Sequence, residues 1–173
     1  MSIVLEQSEI DRSLKRISHE IIEHNHGLAS VVLLGIPTRG VTIAQRIGTF
    51  LSEMDSEVPV GTLDITMFRD DLRLRPPRAL MPTQIPAEGL QGKDLILVDD
   101  VLYSGRTIRA ALDAIGEFGR PRTVQLAVLV DRGHRELPIK ADYVGKNIPT
   151  NAQESVRVQL IEIDGIDQVE VGF

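Results

Sequence analysis

The stretch that most constrains this chain runs Leu95-Ile96-Leu97-Val98-Asp99-Asp100-Val101-Leu102-Tyr103-Ser104-Gly105-Arg106-Thr107. Asp94 to Val98 is apolar enough to be a strand buried on both faces. It runs into two adjacent carboxylates, a short turn, and then a hydroxyl, a glycine, a cation and a second hydroxyl that open a helix. The N-terminus of such a helix offers free N–H groups and the positive end of its dipole, which suits a phosphate. Gly105 lets the backbone come close to the anion, and Ser104 and Thr107 add hydroxyl donors. Carboxylates beside a phosphate would repel it, so Asp99 and Asp100 make sense facing sugar hydroxyls or the shell of a Mg²⁺ ion. A plain helix cap would need one polar residue and not this ordered set.

The rest of the chain alternates strand and helix. Ser8–Asn25 has Ile10, Leu14, Ile17 and Ile21 at helical spacing, with Ser8 as the expected N-cap. Ser30–Gly35 reads as a buried strand, Thr42–Glu53 as a helix and Val58–Met67 as a second strand. Residues 69–89, rich in Arg and Pro, read as a mobile loop that could carry short strands. A helix over 106–118 is ended by Gly119 and Pro121, and Val124–Val130 forms another buried strand. Short β segments follow at Val156–Ile163 and Gln168–Val171. This order predicts an α/β fold with a central, mostly parallel sheet flanked by helices and ligands at the C-terminal strand ends. All 173 residues fit one domain, since the length allows one well-buried core.

Composition narrows the chemistry. With no cysteine, disulfides, thiolate metal sites and cysteine nucleophiles are excluded. No run approaches the roughly 20 apolar residues that cross a bilayer, and the N-terminus lacks a signal-peptide pattern, so a cytoplasmic protein is expected. The net charge of −6 argues against a surface that attracts polyanions everywhere. A local cationic patch remains possible, and the first helix has one. At about 100° per residue, Arg12, Arg16, His19 and His26 share a stripe with Lys15 beside it, opposite the isoleucines. Such a stripe can be a solvated face or a phosphate contact.

The 95–107 stretch resembles the 5-phosphoribosyl-1-diphosphate (PRPP) motif of type I phosphoribosyltransferases in every element. The resemblance implies that fold, with a small hood mainly over 131–173 and a flexible loop over 69–89 carrying Arg69, Arg73, Arg75 and Arg78. It assigns PRPP or UMP binding to Thr38, Arg39 and every residue from Asp99 to Thr107, and catalysis to Asp100, Asp99 and Arg39. Gly35-Ile36-Pro37-Thr38-Arg39-Gly40 is similar to the family's diphosphate loop, with Arg39 as its cation. Mg²⁺ is implied with PRPP near Asp99 and Asp100, without direct protein ligation.

A longer resemblance is to the PyrR family of pyrimidine attenuation regulators. It rests on Ile65-Thr66-x-x-Arg69-Asp70-Asp71-Leu72, on Val101-Leu102-Tyr103, and on Gln125–Ile139 leading into Ala141–Thr150 (ADYVGKNIPT). It runs from about residue 5 to the C-terminus. It implies a UMP-responsive RNA-binding regulator of the pyrimidine (pyr) operon that also converts uracil and PRPP to UMP and diphosphate. Main chain at Lys146, Asn147 and Ile148 would read the uracil edge. Purine transferases usually place an aromatic after the Tyr-Val-Gly segment, and Lys146 in that place favours a pyrimidine. The pyr mRNA leader would meet Lys15, Arg16, His19, Arg135 and Lys146 on a homodimer or higher homo-oligomer. Lys15 and His24 depart from the family's usual threonine and arginine, although Lys15 keeps a cation on the face. A purely metabolic transferase, for uracil or another base, is the alternative.

Overall fold

The computed structural model describes residues 1–71 and 81–173; Arg73, Arg75 and Arg78 lie outside the described residues. Its centre is a five-stranded sheet in the order β3 (Val60–Thr62), β2 (Val31–Gly35), β4 (Asp94–Leu102), β5 (Thr123–Asp131) and β6 (Tyr143–Asn147). Every pairing in it is parallel. Strand side chains alternate between faces, and here both faces are covered. Val31, Leu33, Ile96, Val98, Ala127 and Leu129 pack on the side of α1 (Gln7–His24) and α2 (Arg39–Met54). Val32, Leu34, Leu95, Leu97, Leu126 and Val128 pack on the side of α3 (Arg106–Ile115). Sheet strands buried on both faces explain why these segments read as continuous apolar runs.

A second, antiparallel sheet has the order β1 (Ser2–Glu6), β8 (Gln168–Gly172), β7 (Ser155–Gln159). Leu5, Val158, Leu160 and Val169 seat it on the α1/α2 side of the core. This is the hood, and it differs from the expectation over 131–173 in two ways. Its first strand comes from the N-terminus, and β6 belongs to the main sheet. Hydrogen bonding from distant strands decides both, and no local pattern carries that information.

Several boundaries also move. Helix α1 begins at Gln7, because Glu6 and Glu9 form a reciprocal capping box and Ser8 falls inside the first turn. It ends at His24, capped by Asn25, so His26 (φ 53°) stands off the helical stripe. Helix α2 starts at Arg39, earlier than Thr42, which makes Arg39 and Gly40 part of its first turn. The strand expected over 58–67 reduces to β3, and Thr66–Phe68 is a 3₁₀ turn. Helix α3 stops at Ile115, leaving Phe118 exposed beyond it. Within 156–163, β7 gives way to the short helix α4 (Ile161–Asp164). Strand β4 continues through both aspartates to Leu102. In the Arg/Pro-rich segment, Gln84 pairs in both directions with Thr62 at the sheet edge, at 3.0 and 2.9 Å.

Candidate active site

Parallel strands bring their C-terminal ends to one edge, and the chemistry-bearing residues collect there. On β4, Asp99 shares a face with Leu95 and Leu97, and Asp100 shares the other with Ile96 and Val98. Asp99 lines a cleft of about 620 Å³ together with Arg69, Asp70, Asp71, Val101 to Ile108 and Glu136. Asp100 is half-buried and does not line that cleft. The two carboxylates brace the strand end locally: the Asp100 N–H donates to Asp99 Oδ1 at 2.9 Å, and the Val101 N–H donates to Asp100 Oδ1 at 2.8 Å.

Asp99 is only 8% exposed. Burial, helped by the neighbouring Asp100 charge, pushes its carboxyl well above the usual carboxylate range, and the nearby Arg69 charge opposes that shift only in part. Consecutive strand residues diverge, so the pair does not converge on one ion. Among the described residues no group of three or more His, Asp or Glu stands together as a metal site. This donor set fits a Mg²⁺ that arrives on a diphosphate and keeps several waters, rather than a resident ion.

The turn after β4 has the form of an anion-binding helix start. Gly105 caps α3 at φ 94°, a conformation that suits glycine, and a Cβ there would stand 3.0 Å from Ile139. Arg109 N–H makes the first helical bond to Gly105 O, so the amides before it point out of the helix end. Arg106 N–H reaches Ser104 Oγ at 3.3 Å. The segment after β5 holds this turn in place. Glu136 and Leu137 N–H both donate to Ser104 O, at 2.9 and 3.1 Å. Arg135 donates to Tyr103 O (2.7 Å), Ile139 O (2.8 Å) and Asp131 Oδ2 (2.7 Å). The Arg106 side chain spans the cleft, joining Asp70 at 2.6 Å and Glu136 at 3.5 Å. Arg69 pairs with Asp71, whose hydrogen bond raises the guanidinium pKa.

The second loop meets the first across β4. Ile36 N–H donates to Val98 O at 2.9 Å. A Cβ on Gly40 would stand 2.5 Å from Val98 O, so only glycine lets the start of α2 lie against the acidic strand. The Pro37–Thr38 peptide bond is cis. Arg39 is not free in this state, because its guanidinium pairs with Asp164 of α4 at 2.7 Å.

The expected base segment lies in register with the cradle. Val101 pairs with Val130 and Val130 with Lys146; Leu102 pairs with Asp131 and Asp131 with Asn147. Neighbouring strands are about 4.8 Å apart, so β6 lies about 10 Å from β4. Lys146 and Asn147 are exposed, Ile148 is buried, and Lys146 Nζ donates to Val4 O at 3.2 Å. On α1, Lys15, Arg16 and His19 are all exposed, with Lys15 Nζ 5.5 Å from the Phe50 ring centroid. Arg16 reaches the backbone of β6 beside Lys146. Arg135, in contrast, turns its guanidinium onto the phosphate turn.

Three participants were missed in the sequence. Asp164 and Glu136 carried no local signal, since each becomes relevant only through a partner from a distant element. Arg132 was visible as a charge just past an apolar strand. It is 92% buried with its guanidinium 4.1 Å from the Tyr103 ring centroid, and its Nε has no hydrogen-bond partner.

A parallel sheet with an acidic strand end, an anion cradle and a separate hood defines a phosphoribosyltransferase-type protein. The phosphoribosyl transferase domain model matches residues 2–161. Curated relatives named bifunctional protein PyrR are similar over nearly the whole chain. The one from Streptomyces coelicolor is 63% identical and covered over 98% of this chain and 88% of its own. The one from Enterococcus faecalis V583 is 54% identical, over 97% and 94%. Among solved structures, the hypoxanthine phosphoribosyltransferase of Trypanosoma cruzi superposes with a TM-score of 0.75 at 19% identity, covering 99% and 95% of the two chains. That of Staphylococcus aureus gives 0.73 at 16%, covering 97% and 90%. At such identities these structures show the fold alone. The chain belongs to the PyrR family, within the phosphoribosyl transferase domain proteins.

Proposed function

We propose that the chain is a UMP-responsive, RNA-binding regulator of pyr operon expression that also makes UMP and diphosphate from uracil and PRPP. The observation that carries this reading is the cleft that Asp99 lines near the end of β4 and that opens onto the Ser104–Thr107 turn. The 5-phosphate takes the amides at the start of α3 and the hydroxyls of Ser104 and Thr107. Ribose hydroxyls face Asp99 and Asp100. The diphosphate takes the Thr38–Arg39 loop, with Arg39 leaving Asp164 to meet it. Mg²⁺, bound with PRPP near the acidic pair, supplies charge neutralisation for the leaving diphosphate.

The base lies on the main chain of Lys146, Asn147 and Ile148. Its ring nitrogen forms the new bond to the anomeric carbon as the carbon–oxygen bond to diphosphate breaks, and the proton lost from that nitrogen passes towards Asp100 or solvent. Positioning and anion stabilisation supply most of the rate. Arg106, joined to Asp70 and Glu136, crosses the cleft and would help exclude water from an oxocarbenium-like centre.

RNA would meet α1 through Lys15, Arg16 and His19, with Lys146 beside them; Arg135 serves the phosphate turn in this state. The same reading takes residues 1–173 as one domain, places the protein in the cytoplasm and makes it a homo-oligomer. No helix among the described residues is long and apolar enough to cross a membrane.

Filter binding of a pyr leader hairpin tests the regulator. UMP should tighten binding, and an affinity indifferent to UMP would remove this reading. UMP formation from labelled uracil tests the enzyme. No product above a D99N/D100N control would leave a nucleotide sensor alone.

A further inference from the structure

Helix α1 and strand β6 are joined by one side chain. Arg16, 49% exposed, donates from Nη2 to Val144 O at 3.1 Å and Gly145 O at 2.6 Å, and from Nη1 to Glu20 at 2.8 Å. Strand β6 is the edge of the five-stranded sheet. Successive carbonyls of a strand point to opposite edges; the outer one here, Gly145 O, has no further strand to pair with, and Arg16 provides its donor at 2.6 Å. A Cβ on Gly145 would stand 2.4 Å from Leu129 O, so this part of β6 lies tight on β5 and carries no side chain. Nothing therefore buffers the guanidinium from the backbone. The next residues are Lys146, Asn147 and Ile148, and Ile148 N–H is tied to Asp131 O at 2.9 Å at the cleft end of β5.

We infer that Arg16 is the residue that couples nucleotide occupancy to RNA affinity; this rests on the regulatory reading above. A base held by the main chain of 146–148 restrains the end of β6, and with it the Val144 and Gly145 carbonyls. Those carbonyls then hold the guanidinium in one orientation on the exposed face shared with Lys15 and His19. An RNA phosphate meets a donor already oriented and loses less conformational freedom on binding. Linkage requires the converse, so RNA on Arg16 tightens UMP by the same factor. Lys15 and His19 make no such contact with β6, and they contribute charge without coupling.

The test measures leader-hairpin affinity with and without saturating UMP for the wild type and for R16Q, R16K, K15Q and H19Q. The converse measurement is UMP affinity with and without RNA. The expected result is a UMP-dependent gain that collapses towards one in R16Q. R16K, which keeps the charge but not the planar fork whose two nitrogens reach Glu20 and the β6 carbonyls separately, should lose most of the gain at near-normal thermal stability. K15Q and H19Q should weaken RNA binding in both conditions and keep the wild-type ratio. If R16Q does not fold, R16K decides alone. A wild-type gain left intact in R16Q or R16K makes Arg16 an ordinary phosphate contact and overturns the coupling. No gain in the wild type removes the regulatory reading itself, and this inference falls with it.

Discussion

Arg39, the first residue of α2, is held by the carboxylate of Asp164, 125 positions later in the chain, through Nη2 at 2.7 Å and Nε at 3.3 Å. Burial alone would raise the Asp164 carboxyl, but the Arg39 hydrogen bond and the Leu160 N–H hold it below its ordinary value. The cation assigned to the diphosphate is thus neutralised by the hood, and an incoming anion must displace an internal carboxylate. D164N should remove that competitor. Diphosphate should then inhibit UMP synthesis several-fold more strongly, with no rise in kcat. R39A should raise the KM for PRPP at least tenfold. Product-inhibition kinetics would read both, and unchanged diphosphate inhibition in D164N would count against competition.

Asp99 has a stability consequence with a definite sign. Its folded carboxyl is raised above the unfolded value, mainly by burial. Its contribution is therefore fully present below the unfolded pKa and is lost as pH rises through the folded one. At neutral pH the wild type carries the burial penalty of this carboxyl, and D99N does not. D99N should be more stable than the wild type near pH 7.5 and lose that advantage near pH 4. Urea titrations at the two pH values check this. Loss of UMP synthesis in the same variant would mark the site as one where function opposes stability.

Gly40 is a packing constraint on the active site. In G40A the new methyl would meet Val98 O at 2.5 Å, against backbone that cannot swing aside. Moving α2 off β4 should cost about 2–3 kcal/mol and separate the diphosphate loop from the acidic pair. Thermal melts should show the destabilisation, and KM for PRPP should rise in whatever fraction folds.

Arg46 ties the hood to α2 through Glu162 and Asp167, and the Asp167 side chain is 4% exposed. R46A would leave that carboxylate buried with the Ile161 N–H donor at 2.7 Å but without its guanidinium partner. The expected cost is about 3 kcal/mol. Both carboxylates are held below their ordinary values in the wild type: burial pushes Asp167 up but Arg46 outweighs it, and Glu162 is lowered chiefly by its Arg46 hydrogen bond. Their contribution is present above the unfolded carboxylate pKa and is lost as pH falls through the folded one. The gap between R46A and wild type should narrow on acidification, which urea midpoints across pH would reveal.

The sequence alone determines whatever depends on neighbours in the chain. The β4–turn–α3 unit declares itself because apolar run, acidic pair, glycine and hydroxyls are consecutive, and so are their structural roles. The same holds for β2, β5 and the isoleucine stripe of α1. Boundaries failed where a local cap competed with another, as when Glu6 and Glu9 pre-empted Ser8.

Tertiary structure decided the pairings between distant segments. Residues 2–6 became a hood strand only because β8 offers an antiparallel edge, and β6 joined the main sheet because β5 did the same. Asp164 on Arg39, Arg135 on Tyr103 O and Arg16 on the β6 carbonyls are all contacts across long stretches of chain. A charged side chain's type is written in the sequence, but its partner is set by which backbone and which opposite charge folding brings within about 3 Å. Residue order alone therefore specified the chemistry available to this protein, and packing chose which groups hold ligands and which hold one another.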